Sequence, residues 1–198
     1  YPLIVKPSNE GSGIGIKSNA IVNSTSELSK AVTLILNDYH QPALVETYLP
    51  GREFTVALVG NGASVITVPI IEINFAGFPE GAPPIDSYEA KFIYGATGMV
   101  DMHGTEFCPA DVTPKLAKTI NDLSKQAYLT IGCQDFGRVD IRLDAKGVPY
   151  VLEINHPPGI MSDEFEASFV VIAARKYGWT FEKLVDQILS SAISRLNL

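Results

Sequence analysis

Gly137-Arg138-Val139-Asp140-Ile141-Arg142, answered by Val151-Leu152-Glu153-Ile154-Asn155, is the stretch whose reading decides the fold. Both halves alternate polar and apolar residues, as half-buried strands do, because successive strand side chains point to opposite faces. Arg138 and Asp140 therefore share one face and Val139 and Ile141 the other; Glu153 and Asn155 likewise oppose Leu152 and Ile154. A constant hairpin register centred on the turn Asp144 to Gly147 sets Asp140 opposite Glu153 and Arg138 opposite Asn155. Two facing carboxylates repel, and desolvation sharpens the repulsion, so something must neutralise them. Oxygen ligands from Asp140, Glu153 and Asn155 suit Mg²⁺, which takes few protein carboxylates and completes its shell with water and phosphate. A solvated polar face, or Arg138 bridging both acids, answers the same need without a metal.

Working outward, strands come in adjacent runs and helices separately. Residues 2–6 read as a strand, 7–15 as a glycine-rich turn, and 14–21 as extended again. Ser24-Thr-Ser-Glu27 is a capping box; it opens a helix with Leu28, Ala31, Val32, Ile35 and Leu36 on one face. Strands are expected over 43–49, 54–59 and 65–73, the second closing at Gly60-Asn61-Gly62. Residues 74–112 read as a long irregular loop. Thr113-Pro114 starts a second helix with Leu116, Ile120, Leu123 and Ala127 inward, ending at Gly132. After the hairpin come helices over roughly 165–177 and from Thr180 through Leu189, separated by Gly178. This order predicts an α+β fold with mainly antiparallel sheets, not a doubly wound parallel one.

The composition narrows the function classes. At 198 residues, 46% hydrophobic and 19% charged, the chain is neither disordered nor fibrous. A net charge of −7 without a Lys/Arg run argues against a nucleic-acid backbone as partner. The longest apolar run, Phe169 to Ala174, falls far short of the ~18 residues of a membrane span. Cys108 and Cys133 lack metal or redox spacing and fit reduced thiols in a cytoplasmic protein. The chain opens at Tyr1 on a strand already under way, so a piece of something longer is expected.

Further charged positions are ambiguous one by one. Glu10-Gly11-Ser12-Gly13-Ile14-Gly15 is neither a Walker A loop nor a dinucleotide fingerprint; a turn rich in backbone N–H groups can cradle phosphate, and a plain turn explains it equally. Lys6 needs an anion if it faces inward, and a snorkelling lysine otherwise. Glu46 and Glu53 bracket Tyr48-Leu49 at a strand-turn junction, and Lys91 lies inside the long loop.

Taken in order, these positions resemble the ATP-grasp ligases, and among them the D-alanine–D-alanine ligase family. The matching stretches are Leu3-Ile-Val-Lys-Pro7, Glu10-Gly-Ser12, Glu46-Thr-Tyr-Leu-Pro-Gly-Arg-Glu-Phe-Thr-Val56, Tyr88-Glu-Ala-Lys91, Gly137-Arg-Val-Asp140, Leu152-Glu-Ile-Asn155 and Pro158-Gly159. The resemblance implies an ATP-grasp fold of two lobes: a partial small lobe over 1–50, carrying the phosphate loop and lid, and a large metal and substrate lobe over 51–198. It implies ATP-dependent carboxylate–amine ligation through an acylphosphate. Lys6 and Lys91 would contact ATP phosphates, while Glu46, Tyr48, Leu49 and Glu53 would hold adenine and ribose. Asp140, Glu153 and Asn155 would bind two Mg²⁺ ions, with Mn²⁺ as their substitute. Arg138 would stabilise the phosphorylated intermediate, Gly159 would offer an N–H to the oxyanion, and Ser12 would cover the substrate end. The expected partners are ATP and small amino-acid-like substrates, with no nucleic acid and no membrane, and a homodimer is the assembly to test.

Some positions depart from the family pattern. Gly13 stands where a second serine is common, Phe92 where tyrosine is, and Glu164 where a serine usually meets the second substrate's carboxylate. An acid there would repel that carboxylate, so a ligase for different amino acids, or an ATP-binding module without turnover, is the alternative. The family's N-terminal domain has no counterpart here, so these 198 residues alone are expected not to turn over.

Overall fold

A computed structural model describes residues 1–75, 78–80, 82–85, 87, 106–162 and 168–198. They divide into two units: Tyr1–Pro50 with the described part of Phe75–Thr105, and Gly51–Asn74 with Glu106–Leu198. The break between Pro50 and Gly51 falls at a turn.

The first unit is a three-stranded antiparallel sheet under one helix. β1 (Leu3–Pro7) lies between β2 (Ile21–Val22) and β3 (Ala43–Thr47). α1 (Thr25–Asp38) starts where the capping box predicts: Ser24 Oγ accepts from Glu27 N at 3.2 Å, and Glu27 Oε2 accepts from Asn23 N at 2.8 Å. Val5, Val22 and Ile35 are buried, with Leu28, Ala31 and Val32 packed against them. Two expectations fail here. Leu36 is exposed and Leu34 packs inward instead. Residues 14–21 are not a strand: Ile14 N bonds Gly11 O and Ile16 N bonds Gly13 O, consecutive turns that leave only Ile21–Val22 to pair with β1. Glycine makes those turns available, since Gly13 and Gly15 both sit at positive φ.

The second unit is a six-stranded sheet. Its order is β7 (Glu106–Phe107), β6 (Ile71–Ile73), β4 (Glu53–Val59), β8 (Phe136–Leu143), β9 (Pro149–Asn155), with β5 (Ile66–Thr67) also pairing β4. The single strand expected over 65–73 is interrupted between Thr67 and Ile71, around Pro69, whose ring nitrogen has no proton for a ladder bond.

All seven residues of β4 are buried, which means both sheet faces are covered. α2 (Pro114–Thr130) covers one face. It is capped by Thr113 Oγ1 accepting from Leu116 N, and packs Ile120 and Tyr128 against Phe54, Val56, Leu58, Val139 and Ile141. α3 (Phe169–Lys176) and α4 (Phe181–Leu196) cover the other, packing Val170, Val171, Ala174 and Leu184 on Ala57, Val59 and Ile71. The described part of the helix expected from about 165 begins at Phe169; 163–167 lie outside the described residues.

A polar clasp ties α4 to the sheet. Arg195 donates to Asp135 twice, Nε to Oδ1 at 3.0 Å and Nη2 to Oδ2 at 2.7 Å. Asn61 Nδ2 donates to Asp135 Oδ1 and to Ser191 O. The Arg195 hydrogen bonds, aided by Asn61, hold the Asp135 carboxyl below the usual carboxylate range despite its partial burial.

Candidate functional site

Alternation on β4 and β8 sorts the polar residues onto one face. Val139 and Ile141 join the α2 side, so Arg138, Asp140 and Arg142 face the α3 and α4 side with Glu53, Thr55 and Ala57. The antiparallel register then aligns them in rows. Thr55, Asp140 and Glu153 form one row across β4, β8 and β9; Ala57, Arg138 and Asn155 form the next; Glu53 stands opposite Arg142. The pairing of Asp140 with Glu153 and of Arg138 with Asn155 is the one the hairpin sequence predicts.

The constant register does not run on to the turn. Beyond Asp140 the partners step, so that Ile141 pairs with Val151 rather than Leu152. Leu152 is the extra residue of a β-bulge, a feature that re-aims side chains next to sites. In consequence Val151 and Ile154 both pack on the α2-side core, although Glu153 lines up with Asp140 on the other face.

Asp140 is buried and saturated with donors. Its Oδ1 accepts from Thr55 Oγ1 at 2.5 Å and Arg138 Nε at 3.0 Å, and its Oδ2 from Arg138 Nη2 at 2.7 Å and Asn155 Nδ2 at 3.0 Å. The Arg138 guanidinium lies 5.5 Å from the Phe169 ring centroid, a cation–π contact that restrains it from the α3 side. Its Nη2 is 4.0 Å from Glu153 Oε1. The arginine bridge that the sequence allowed as an answer to the facing acids is therefore present.

The same atoms also fit a divalent cation. Asn155 Nδ2 is 3.0 Å from Asp140 Oδ2 and 3.1 Å from Glu153 Oε1, so both carboxylates converge on a single atom. Turning the Asn155 amide about its last torsion exchanges Nδ2 for Oδ1 and gathers three oxygens, the donor set Mg²⁺ prefers. Among the described residues no group of three or more His, Cys, Asp or Glu side chains assembles for a metal; this set is two carboxylates and an amide.

In the first unit, Lys6 and Glu46 come together. Lys6 pairs with Leu44 and Ile4 with Glu46, so both charged side chains leave the sheet on the face opposite Val5 and meet diagonally, Nζ to Oε2 at 2.6 Å. Tyr48 and Leu49 follow β3, with Tyr48 N bonded to Pro2 O at 3.2 Å; the strand expected to reach residue 49 stops at Thr47. Ser12 is exposed at the turn apex with φ 54°, in a loop anchored where Asn9 N bonds Gln41 Oε1 and Gln41 Nε2 bonds Glu10 Oε1. Gly159 is exposed just past β9, with nothing nearer to an added Cβ than Ser168 Cβ at 4.0 Å. Glu53 is buried, its Oε2 accepting from Arg142 Nη1 at 2.6 Å. Lys91, Phe92 and Glu164 lie outside the described residues.

The residue reading passed over Thr55, Phe169 and Arg142. Strand parity held the signal for two of them: Thr55 shares parity with Glu53, and Arg142 with Asp140. Phe169 belongs to a helix whose approach to the sheet no spacing announces.

Comparison with known proteins shows the family and the fold of the chain. "Uncharacterized protein y4sG" of Sinorhizobium fredii is 35% identical over 195 residues, which cover 98% of this chain and 53% of that protein. The D-alanine–D-alanine ligase of Bordetella avium is 34% identical over 195 residues, 98% of this chain and 55% of its own. Among solved structures, the D-alanine–D-alanine ligase of Coxiella burnetii superposes with a TM-score of 0.69 at 25% identity, covering 98% of this chain and 45% of that one. The VanG D-Ala:D-Ser ligase of Enterococcus faecalis shares the fold, with a TM-score of 0.70 at 24% identity over 96% of this chain and 49% of its own. The chain thus spans about half the length of the curated relatives it matches, and the α+β, ATP-grasp architecture expected from the sequence is the one found. The model described as "D-ala D-ala ligase C-terminus" matches residues 1–190, and the chain belongs to that family.

Proposed function

We propose that this chain supplies the nucleotide- and metal-binding residues of an ATP- and Mg²⁺-dependent carboxylate–amine ligase of the D-alanine–D-alanine ligase type. The observation that carries the reading is the convergence of Asp140 Oδ2 and Glu153 Oε1 on Asn155, beside the Arg138 guanidinium. In such a reaction a substrate carboxylate oxygen attacks the γ-phosphorus of ATP, giving an acylphosphate and ADP. An amine then attacks the acyl carbon, phosphate leaves with the C–O bond electrons, and the amine nitrogen gives up a proton. A bound divalent cation supplies charge neutralisation on the transferring phosphoryl.

The chain's own residues would do the rest by position and charge. Lys6 would leave Glu46 for the phosphates, joined by Lys91. Glu46 and Glu53, with the chain at Tyr48 and Leu49, would take adenine and ribose. Arg138 would meet the acylphosphate, the Gly159 N–H would meet the developing oxyanion, and Ser12 would cover the substrate end. Substrates would be small amino-acid-like acids and amines.

Isothermal titration with Mg-ATP, and ADP release from the intact protein with amino-acid pairs, test this reading. Asp140→Asn combined with Glu153→Gln should abolish metal-dependent ADP release, and unchanged amide formation in that variant would sink it. Glu164, standing where the family's serine meets the second substrate's carboxylate, favours one second reading, an ATP-binding module without turnover. That reading requires ATP binding with no ADP release for any amino-acid pair.

A further inference from the structure

Three of the four hydrogen bonds at Asp140 come from groups that can move. The Asn155 amide can turn about its last torsion, and both Arg138 bonds come from the end of a long side chain. The fourth donor is different. Thr55 stands directly opposite Asp140 in the β4–β8 register, is 1% exposed, and places Oγ1 2.5 Å from Asp140 Oδ1. A β-branched side chain on a strand is restricted at χ1, so this hydroxyl is fixed by the backbone of the central strand. An ionised carboxylate only accepts, so the Thr55 proton points at Oδ1.

We infer that Thr55 is a positioning residue for Asp140: by holding Oδ1 it keeps Oδ2 turned toward Asn155 and Glu153, the side from which a cation would be shared. This rests on the metal role proposed above for Asp140, Glu153 and Asn155. When the Asn155 amide turns its oxygen inward, it stops donating to Oδ2, and the carboxylate loses one of the bonds that set its plane. The Thr55 bond survives that change, because it lies on the other oxygen and comes from the other neighbouring strand. Partners of this kind, one shell out from a metal, typically contribute about 10–100-fold to metal affinity.

The experiment is a Mn²⁺ titration of the full chain, reading free Mn²⁺ by electron paramagnetic resonance, with urea unfolding of each metal-free variant alongside. Thr55→Val, nearly the same shape without the hydroxyl, should weaken Mn²⁺ binding roughly tenfold or more. Thr55→Ser, which restores a hydroxyl at the same branch point, should recover most of the loss; a serine variant as weak as valine overturns the proposal. Should the valine variant fail to fold, Thr55→Ala carries the same expectation. Wild-type affinity in the hydroxyl-free variants, with Asp140→Asn losing the ion, overturns the role of Thr55 and leaves the metal site standing. Wild-type affinity in Asp140→Asn removes the metal reading itself, and this inference with it.

Discussion

Glu53 and Arg142 stand directly opposite each other on β4 and β8 and close a 2.6 Å ion pair in which neither side chain is more than 6% exposed. Such a pair is costly to break from one side, because the surviving charge stays buried without that partner. Arg142→Met should destabilise the chain by about 3–5 kcal/mol, whereas Glu53→Leu with Arg142→Met should recover much of that loss. Urea midpoints for the single and double variants decide it, and equal losses would show that the pairing is not what the sheet depends on.

The clasp on α4 predicts a pH dependence. Asp135 has its pKa lowered chiefly by the Arg195 hydrogen bonds, so the folded chain holds this carboxylate ionised more strongly than the unfolded chain does. The stabilisation is therefore fully present above the ordinary carboxylate value of about 3.9 and is lost as pH falls below it through the folded pKa. Asp135→Asn should lower stability at neutral pH and flatten the acid limb. Unfolding midpoints measured from neutrality down to about pH 3 would show a parallel, undiminished acid limb in the variant if the idea is wrong.

Lys6 and Glu46 form a pair that is partly open to water, 22% and 43% exposed. Exposed pairs of this kind contribute at most about 1 kcal/mol. Lys6→Met should leave the unfolding midpoint nearly unchanged yet weaken ATP binding at least about tenfold, a loss of ~1.4 kcal/mol in binding. Calorimetric titration separates the two effects, and intact ATP affinity would assign the lysine to the sheet alone.

Gly137 sits where β8 passes beneath α2. A Cβ there would lie 2.7 Å from Tyr128 Cε2 and 3.0 Å from Cδ2. Tyr128 has nowhere to retreat: its ring is fully buried and its hydroxyl donates to Gly60 O at 3.1 Å. Gly137→Ala should thus cost about 1–3 kcal/mol through overpacking. It should also disturb the adjacent Arg138, so a thermal melt equal to wild type would mean that Tyr128 moves more freely than its packing implies.

How much was legible beforehand differs by element, for physical reasons. Caps and hairpin pairing are local chemistry. Ser24 and Thr113 begin their helices as the sequence says, and Asp140 finds Glu153, because each is set by residues a few positions away. The loop over 14–21 reads as extended because its isoleucines alternate, but glycines at positive φ turn it twice. The break in 65–73 turns on a proline within an otherwise strand-like run, and the stripe of α1 shifted from Leu36 to Leu34. At the site, Asp140, Glu153, Asn155 and Arg138 were nameable from alternation. That Thr55 and Phe169 would hold them was not, since each contact depends on which neighbour β4 or α3 finds across a long stretch of chain.

The surplus residue at Leu152 settles a conflict of interest within one short strand. Val151 and Glu153 have the same parity, and an unbroken strand would send both the same way: the valine into the charged row, or the acid into oil. Bulging Leu152 out of the ladder lets a single strand serve a greasy floor and an ionic one two positions apart. Removing Leu152 would make Val151 and Glu153 direct neighbours, which alternate to opposite faces without a bulge. Flattening the bulge with Leu152 still in the ladder is what would force the chain to choose which of its two surfaces to spoil.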